Sequence, residues 1–529
     1  MSGDDFSRRE SFGFLTSAAM APNTVSSTSD EPGTKARAQP GRVSVVQFGA
    51  RGDGVTDDTA AFQKALDTGL DVWVPGTSQF YLLRRTLATR SQGQSLTGDG
   101  RASYLVQTAT GSNATVITVR HDDCTISDVR LKAGDGGPPL YDGWGVLVSR
   151  TARCTVARCW FDGIRRGGVL VHASAHCRVH ENRFVDSVLH ADGTVPQSKM
   201  GYDILIAGAS SHNFVANNEC SSGCGVGIGC QTVVDGDSQD NNIIDNNVVR
   251  NHPCYGIMIY LSGSRGKISG VTISGNRIFE ISGSVKTDGT TYFYGAGIYV
   301  QTANNFLISN NYIDRTNVDR RLPPSGSAVP AAIAVSGCGN GTITGNILLN
   351  CLDGIASIQA TGAVPEGEGT IISSNVINNC DRIGINLLDC AAAIVVGNRL
   401  AGGGRAAHGI FVSQTGNAAQ LFDFTISNNA VHHFHAGIEV LGDAIQRAII
   451  SNNTVTNVIG YAIASGAGTS IITGNITQDG GIAVRASAQY GTCRDNVITS
   501  GATDAIARDQ ASGVAVSENI FVRAARKAP

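Results

Sequence analysis

One short pattern recurs along most of this sequence and limits the folds that it can adopt. From about residue 120 onward, segments of the form Ile-x-x-Asn-x-Ile/Val alternate with Gly-Ile dipeptides such as Gly297-Ile298. Copies of the first segment occur at Ile308–Ile313, Ile343–Leu348, Val395–Leu400, Ile426–Val431 and Ile450–Val455. The anchoring asparagines are Asn182, Asn218, Asn247, Asn276, Asn311, Asn346, Asn375, Asn398, Asn429, Asn453, Asn475, Asn496 and Asn519.

The spacing of these asparagines predicts a solenoid made of strands. Asn453, Asn475, Asn496 and Asn519 follow one another at intervals of 22, 21 and 23 residues. A coil of that length holds short strands and turns but no helix. Inward Ile and Val would stack on their equivalents one coil away, and the asparagines would form a hydrogen-bonded ladder at turns with left-handed backbone. We therefore predict an all-β, single-stranded, right-handed parallel β-helix.

Composition excludes several other classes. Hydrophobic residues make up 42% of the chain, which is too much for a disordered protein. The 65 glycines show no triplet period, so the chain is not collagen-like. The formal net charge of −3 and the lack of basic blocks argue against nucleic acid as a partner. No apolar stretch has the length of a membrane span, so we expect no membrane partner either.

The first coil is preceded by a recognisable segment, Val45–Leu66, with the sequence VVQFGARGDGVTDDTAAFQKAL. We expect a short strand at Phe48–Ala50 and a helix at Thr59–Leu66, with Asp53, Asp57 and Asp58 as capping residues. This segment and the repeats resemble the pectate-lyase-like superfamily, over roughly residues 43–525. The resemblance implies that the helix covers the open end of the solenoid. It does not identify one family, because the superfamily includes lyases, hydrolases, epimerases, fructotransferases and tailspikes.

The chain is predicted to have three parts. Residues 1–42 are an export signal and linker, 43–100 the N-terminal cap and first coils, and 101–529 the β-helix with inserted loops. Arg8-Arg9 followed by Phe12 resembles a twin-arginine signal, although Phe12 comes one position late. We therefore expect a secreted or periplasmic protein. The 13 cysteines form no C-x-x-C pair and are expected to be buried thiols.

Long insertions predict where the functional site lies. Val188–Gly201, Ser282–Gly295 and Asn317–Pro330 all come just before a Gly-Ile strand, so they would leave the solenoid at one corner. Shorter insertions such as Thr361–Gly369 follow that strand. Loops on both sides of one strand column would form a groove along it, and loops on a rigid scaffold commonly carry function.

Polar and aromatic residues collect in this corner. The candidate catalytic residues are His252, Tyr255, Asp203, Asp353, Lys199 and Arg320. The candidate substrate-binding residues are Tyr202, Tyr260, Tyr294, Tyr299, Gln301, Arg321, Asp319 and His408. Five of the tyrosines lie between residues 255 and 299, a density that suits stacking on sugar rings.

These residue types favour β-elimination on an acidic glycan. A lyase must neutralise a uronate carboxylate and remove the neighbouring proton, and His252, Tyr255, Lys199 and Arg320 supply the needed groups. One alternative is a glycosidase or fructotransferase that uses Asp203 and Asp353, with Glu439 farther along. Another is a non-catalytic glycan-binding or tailspike-like module. The expected partner is a polysaccharide or oligosaccharide, and a homo-oligomer remains open.

No cofactor is expected. Asp235, Asp237 and Asp240 have the spacing of a Ca²⁺ loop but are better explained as a solvated turn. The group His432, His433 and His435 offers no evident third fixed ligand and is interpreted as a polar turn. We therefore predict no metal site.

Overall fold

The fold is an all-β solenoid, seen in a computed structural model. The structure describes residues 41–110, 114–134, 143–163, 167–185, 201–221, 225–232, 234, 236–261, 266–285, 292–293, 295–316, 330–358, 369–390, 392–404, 406–414, 421–442, 444–485, 487–500, 505–508 and 513–523. Each coil contributes one strand to each of three long parallel sheets, taken here in chain order within a coil as sheets 1, 2 and 3. Neighbouring coils pair in register, about 4.8 Å apart.

The strands of sheet 1 are Arg42–Ser44, Asp71–Val74, Ser95–Gly98, Thr125–Ser127, Thr155–Ala157, Arg178–His180, Phe214–Ala216, Ile243–Asp245, Thr272–Ser274, Leu307–Ser309, Thr342–Thr344, Thr370–Ser373, Ala393–Val396, Leu421–Ser427, Ile445–Ser451, Thr469–Thr473, Tyr490–Arg494 and Ala515–Ser517. Those of sheet 2 are Tyr81–Leu83, Tyr104–Gln107, Arg130–Lys132, Trp160–Asp162, Arg183–Val185, Glu219–Ser221, Val248–Arg250, Arg277–Ile281, Tyr312–Thr316, Ile347–Leu349, Val376–Cys380, Arg399–Gly402, Ala430–His432, Thr454–Thr456, Ile476–Gln478, Val497–Ser500 and Ile520–Arg523.

Sheet 3 contains the Gly-Ile strands. Its members are Leu87–Ala88, Ile117–Val119, Trp144–Ser149, Gly167–His172, Gly201–Ala207, Gly225–Thr232, Tyr255–Leu261, Ala296–Gln301, Ala331–Ser336, Asp353–Ile358, Ile383–Leu388, His408–Ser413, Ala436–Leu441, Ile463–Ser465, Ile482–Val484 and Ile506–Arg508. Two small sheets are added, one of Ser238–Asp240, Lys267–Ser269 and Ala303–Asn304 and one of Ser284–Val285 with Tyr292–Phe293. The predicted parallel β-helix is thus confirmed.

The asparagine ladder lies at the tight turn between sheets 1 and 2. Asn311 Oδ1 accepts hydrogen bonds from the backbone N–H and the Nδ2 of Asn276, each at 3.0 Å. Its own Nδ2 donates to Ile273 O at 2.9 Å and to Asn346 Oδ1 at 3.0 Å. The expectation of left-handed backbone at the ladder residues is wrong, because the preceding residue takes that conformation, as at Asn310 with φ 55°.

The core fills the inside of the coils. Ile, Val and Leu from all three sheets form one continuous buried cluster that runs from Val45 to Val514. Within sheet 3, Ile257 pairs in register with Ile228 on one side and Ile298 on the other, and all three are fully buried. Twelve cysteines are free and buried within the described ranges.

A short helix covers the N-terminal end. Helix α1, Thr59–Asp67, buries Phe62 and Leu66, and the Phe62 ring lies 5.0 Å from that of Tyr81. Two 3₁₀ helices, Val45–Phe48 and Gly100–Ala102, complete the helical elements of the described chain. The strand expected at Phe48–Ala50 is wrong, because residues Val45–Phe48 close a 3₁₀ turn that ends at Gly49 with φ 96°.

The three aspartates of this segment stabilise backbone turns. Asp57 Oδ1 accepts from the Thr59 N–H at 3.0 Å, and Asp53 Oδ1 accepts from the Thr56 N–H at 2.7 Å. Asp58 stands at the N-cap of α1 but makes no side-chain bond to the helix. Its carboxylate instead accepts from the backbone N–H of Arg51 at 2.7 Å, so it ties the preceding loop to the helix start.

Candidate functional site

Three columns of side chains run along the outer face of sheet 3. The strand register aligns Tyr202, Val226, Tyr255, Ala296, Ala331, Asp353, Ile383, His408 and Ala436 in the first column. The second holds Leu205, Gly229, Met258, Tyr299, Ala334, Ala356, Asn386, Phe411 and Glu439. The third includes Ala207, Gln231, Tyr260, Gln301 and Ser336. Seven of the nine candidate residues that the structure describes therefore share one face of the solenoid.

A tyrosine stack occupies the middle of this face. Tyr255 and Tyr299 come from adjacent strands, and their rings lie 5.0 Å apart at an interplanar angle of 14°. The Tyr299 hydroxyl donates to Gln301 Oε1 at 2.7 Å, and Tyr260 follows Tyr255 along the same strand. Planar rings with polar rims on a rigid sheet are a surface that suits stacking on sugar rings.

Burial keeps two phenols of this patch protonated over a wider pH range. The surrounding protein raises the pKa of Tyr299 well above its ordinary value, with smaller contributions from Tyr260 and Cys338. Burial likewise raises the pKa of Tyr260. Both phenols therefore stay protonated at neutral pH and act as hydrogen-bond donors. In this state neither is suited to abstract a proton.

Asp203 and His252 lie inside the solenoid and not on its outer face. Asp203 occupies the strand position held by Gly168 and Gly227, where a Cβ would point at the core side chains Phe184 and Val249. Its Oδ2 lies 3.0 Å from His252 Nε2, with 2% and 0% of the two side chains exposed.

The His252–Asp203 pair is also close to a core thiol. The Asp203 carboxylate lies near enough to Cys220 to raise the pKa of that thiol further, beyond what burial does. A saccharide on the outer face does not reach either member of the pair. Their catalytic roles stay predictions that this geometry does not favour.

Asp353 is held by an arginine one strand away. Arg382 Nε and Nη2 donate to the two carboxylate oxygens of Asp353 at 2.7 and 2.6 Å, and the Asp353 side chain is fully buried. Burial raises the pKa of Asp353, while Arg382 and Asn386 lower it. Bidentate pairs of this kind fix orientation as well as charge.

A second group of polar residues lies farther along the same face. His408 Nδ1 is 3.0 Å from Glu439 Oε2, an ion-pair distance, but this nitrogen makes no hydrogen bond in the described structure. Arg485 Nη2 is 3.6 Å from the other oxygen, Glu439 Oε1, and its guanidinium lies 5.6 Å from the Tyr461 ring centre. The His408 ring stacks on Phe411 at 4.3 Å. We call these five residues the His408 cluster.

The His408 cluster was only partly foreseen. The sequence pointed to His408 and Glu439 singly, but not to Arg485 or Tyr461, because these coils carry short loops. Strand register could have shown that His408 and Glu439 are close, since Phe411 pairs with Glu439 and His408 with Ala436. Counting strand positions after residue 400 would have brought them together.

Several predicted residues cannot be compared with the structure. Lys199, Tyr294, Asp319, Arg320 and Arg321 lie outside the described residues, as does Asp235 of the acidic loop. The segments 186–200, 286–291 and 317–329, which hold most of the three long insertions, are likewise outside it. Within the described ranges, no three His, Cys, Asp or Glu side chains are placed to bind a metal. No helix in those ranges is both long and apolar enough to span a bilayer.

Sequence comparison identifies the repeats and the N-terminal segment separately. The family described as "right handed beta helix region" matches residues 110–293 and 284–421, more than half of the chain. Residues 42–132 match "rhamnogalacturonase A/epimerase, pectate lyase-like", and residues 366–528 match "periplasmic copper-binding protein (NosD)".

Individual relatives share either a short segment or the fold. The pre-neck appendage protein of Bacillus phage phi29 is 42% identical over 66 residues, which is 12% of this chain and 7% of that protein. The catalytic unit of the GH87 α-1,3-glucanase of Streptomyces thermodiastaticus strain HF3-3 has a TM-score of 0.51 at 16% identity, over 80% of this chain and 70% of that one. The first match is limited to a small part of the phage protein, and the second shows the fold alone.

Proposed function

The chain belongs to the right-handed β-helix family, and from that premise we propose that it is an enzyme that cleaves an acidic polysaccharide by β-elimination. The observation that supports this most directly is the stack of Tyr255 on Tyr299, with Tyr260 and Gln301 beside it. The glycan would lie along the columns of sheet 3, across several coils. Export from the cytoplasm, proposed from Arg8-Arg9, would bring the protein to such a substrate.

Carboxylate spacing favours elimination over hydrolysis. Among the described residues of the outer face, Asp353 and Glu439 come from strands three coils apart, or about 14 Å along the axis at 4.8 Å a coil. A glycosidase places its two carboxyl groups about 5–9.5 Å apart. Asp203 is five coils from Asp353 and points into the core. Arginine and imidazole groups, in contrast, are present on this face and suit elimination.

The test is incubation with a panel of polysaccharides, some rich in uronate and some neutral. Ultraviolet absorbance from an unsaturated uronate is the expected result, and it should appear only with the acidic members. New reducing ends without that absorbance would indicate a hydrolase. A transferred or cyclic sugar would indicate a transferase, and retention without turnover a glycan-binding module.

Variants of the stack test the binding surface. Tyr299→Ala and Tyr255→Ala should each weaken glycan retention by about 5-fold, since a stacked ring contributes about 1 kcal/mol. Tyr490→Ala is the matched control, because Tyr490 is 68% exposed on sheet 1. Equal retention by all three variants would show that the glycan binds elsewhere.

A further inference from the structure

The His408 cluster lies on the outer face of sheet 3 but beyond the tyrosine stack, and it brings together an imidazole, a carboxylate and a guanidinium. Its members come from four successive coils, with Phe411 and Glu439 on neighbouring strands. Glu439 contacts His408 with one oxygen and Arg485 with the other, so the imidazole and the guanidinium flank one carboxylate. His408 Nδ1 and Arg485 Nη2 each lie within 3.6 Å of this carboxylate, although their strands are three coils apart.

The contacts of His408 leave one ring nitrogen for chemistry. Nδ1 faces Glu439, and Phe411 stacks on one side of the ring. Both contacts fix the ring plane. A carboxylate at Nδ1 favours the tautomer with its proton there, which leaves the Nε2 lone pair free to accept another. About a quarter of the His408 side chain is exposed, so a ligand on the outer face can approach it.

Arg485 has binding capacity that the protein does not use. Its Nε is buried and has no hydrogen-bond partner in the described structure, and its contact with Glu439 is long at 3.6 Å. The side chain is 41% exposed and rests against Tyr461. The exposed part of this guanidinium can pair with a carboxylate on the outer face.

We propose that the His408 cluster is the reaction centre, with His408 as the catalytic base and Arg485 as the group that binds the uronate carboxylate. Glu439 is a positioning residue that acts through His408. The assignment rests on the proposed function and names its substrate class, a glycan with a uronate at the cleaved linkage.

The reaction balances without any co-reactant except water. His408 Nε2 takes the proton from C5 of the uronate, and the electrons of that bond form the C4=C5 double bond. The C4–O bond breaks, and the leaving glycosidic oxygen takes a proton from water. Arg485 stabilises the negative charge that gathers on the carboxylate as the proton leaves.

Electrostatics agree with these roles. His408 holds the pKa of Glu439 below its ordinary value, and Arg485 and His435 add to this effect. Glu439 is therefore ionised at neutral pH, and its charge favours a proton on the facing Nδ1 of His408.

The experiment measures turnover and retention of polygalacturonate and alginate, with dextran as the neutral probe. His408→Ala should lower kcat by about 10²-fold or more with KM little changed. Added imidazole should restore part of the turnover of this variant, which a purely structural role would not allow. Arg485→Gln should raise KM for the acidic probes by about 10-fold, while Arg447→Gln, an arginine paired with Asp423 on sheet 1, should change nothing.

Glu439 needs a readout of its own. Glu439→Gln should lower kcat more than it raises KM, and Glu439→Asp should recover part of the loss, as expected for a residue that orients a base. His432→Ala, a histidine on sheet 2, is the control for His408.

The outcomes separate the two proposals. Normal turnover by His408→Ala, with wild-type protein active on acidic glycan, would overturn the reaction centre and leave the proposed function standing. Failure of the wild-type protein to retain or cleave either polygalacturonate or alginate would overturn both proposals.

Discussion

At the scale of single residues, the asparagine ladder combines burial with complete hydrogen bonding. Asn311 is 1% exposed, and its amide satisfies the backbone N–H of Asn276 and the carbonyl of Ile273. Asn311→Ala would leave both groups buried and without partners, at a cost of about 2–4 kcal/mol. Chemical denaturation should show this loss. Asn378→Ala, at an exposed strand position, should stay within about 0.5 kcal/mol.

Asp53 gives the N-terminal segment a dependence on pH. Hydrogen bonds from the Thr56 and Val55 N–H groups lower the pKa of Asp53 from 3.8 to about 2. A lowered carboxylate pKa stabilises the fold above the unfolded value, and this contribution is lost as the pH falls through the folded value. Thermal unfolding of wild type should therefore lose stability between about pH 4 and pH 2.

The matched variant isolates that effect. Asp53→Asn should be less stable at neutral pH and should show a flatter profile over that acid range. Asp479→Asn, in an exposed turn with φ 63°, should keep the wild-type profile. If stability falls with pH in the same way for wild type, Asp53→Asn and Asp479→Asn, Asp53 contributes nothing to acid stability.

At the scale of elements, the Gly-Ile strands depend on close approach to the neighbouring strand and to core side chains. A Cβ at Gly384 would stand 2.5 Å from the Gly409 carbonyl oxygen and 2.5 Å from Leu400 Cδ2. Gly384→Ala should cost about 1–3 kcal/mol in unfolding free energy, because the core must shift. Gly404→Ala is the control, since nothing lies within 4 Å of its Cβ direction. An unchanged unfolding free energy for Gly384→Ala would show that the Gly409 backbone and the Leu400 side chain can shift there without cost.

The glycine positions of the Gly-Ile strands show what could be predicted from the sequence and what could not. Periodic Asn and Gly-Ile positions follow from backbone and core constraints that are repeated in every coil. The fold can therefore be predicted from the sequence. Asp203 breaks the glycine pattern, and the sequence shows that break without showing on which side of the sheet it points. Its inward direction depends on packing, since Cys220 is smaller than the Phe184 and Val249 of neighbouring coils.

The functional residues were harder to predict because their contacts cross coils of unequal length. His408 and Glu439 are 31 positions apart, and Arg485 lies two coils beyond Glu439. The long insertions lie in the middle of the chain, far in sequence from these residues. The contacts of His408 depend instead on strand register in coils with short loops.

At the scale of the whole molecule, the N-terminal end has its backbone groups satisfied by side chains. Gln63 of α1 donates to the Ala88 carbonyl at 3.1 Å and accepts from the Ala88 N–H at 3.0 Å. Ala88 belongs to the first strand of sheet 3, so the helix covers the backbone edge of that strand. An open strand edge would otherwise be free to pair with other chains.

The other end of the described solenoid is more exposed, which predicts a gradient of local stability. In its last strands, Ile520 is 60% and Phe521 56% exposed, whereas Phe62 of α1 is fully buried. Strands with little apolar burial open at low free energy. Hydrogen exchange should therefore be fastest at residues 505–523 and slow at residues 42–98. Gln63→Ala should speed exchange at residues 81–88 without changing residues 505–523. Equal protection at both ends would contradict the role given to helix α1.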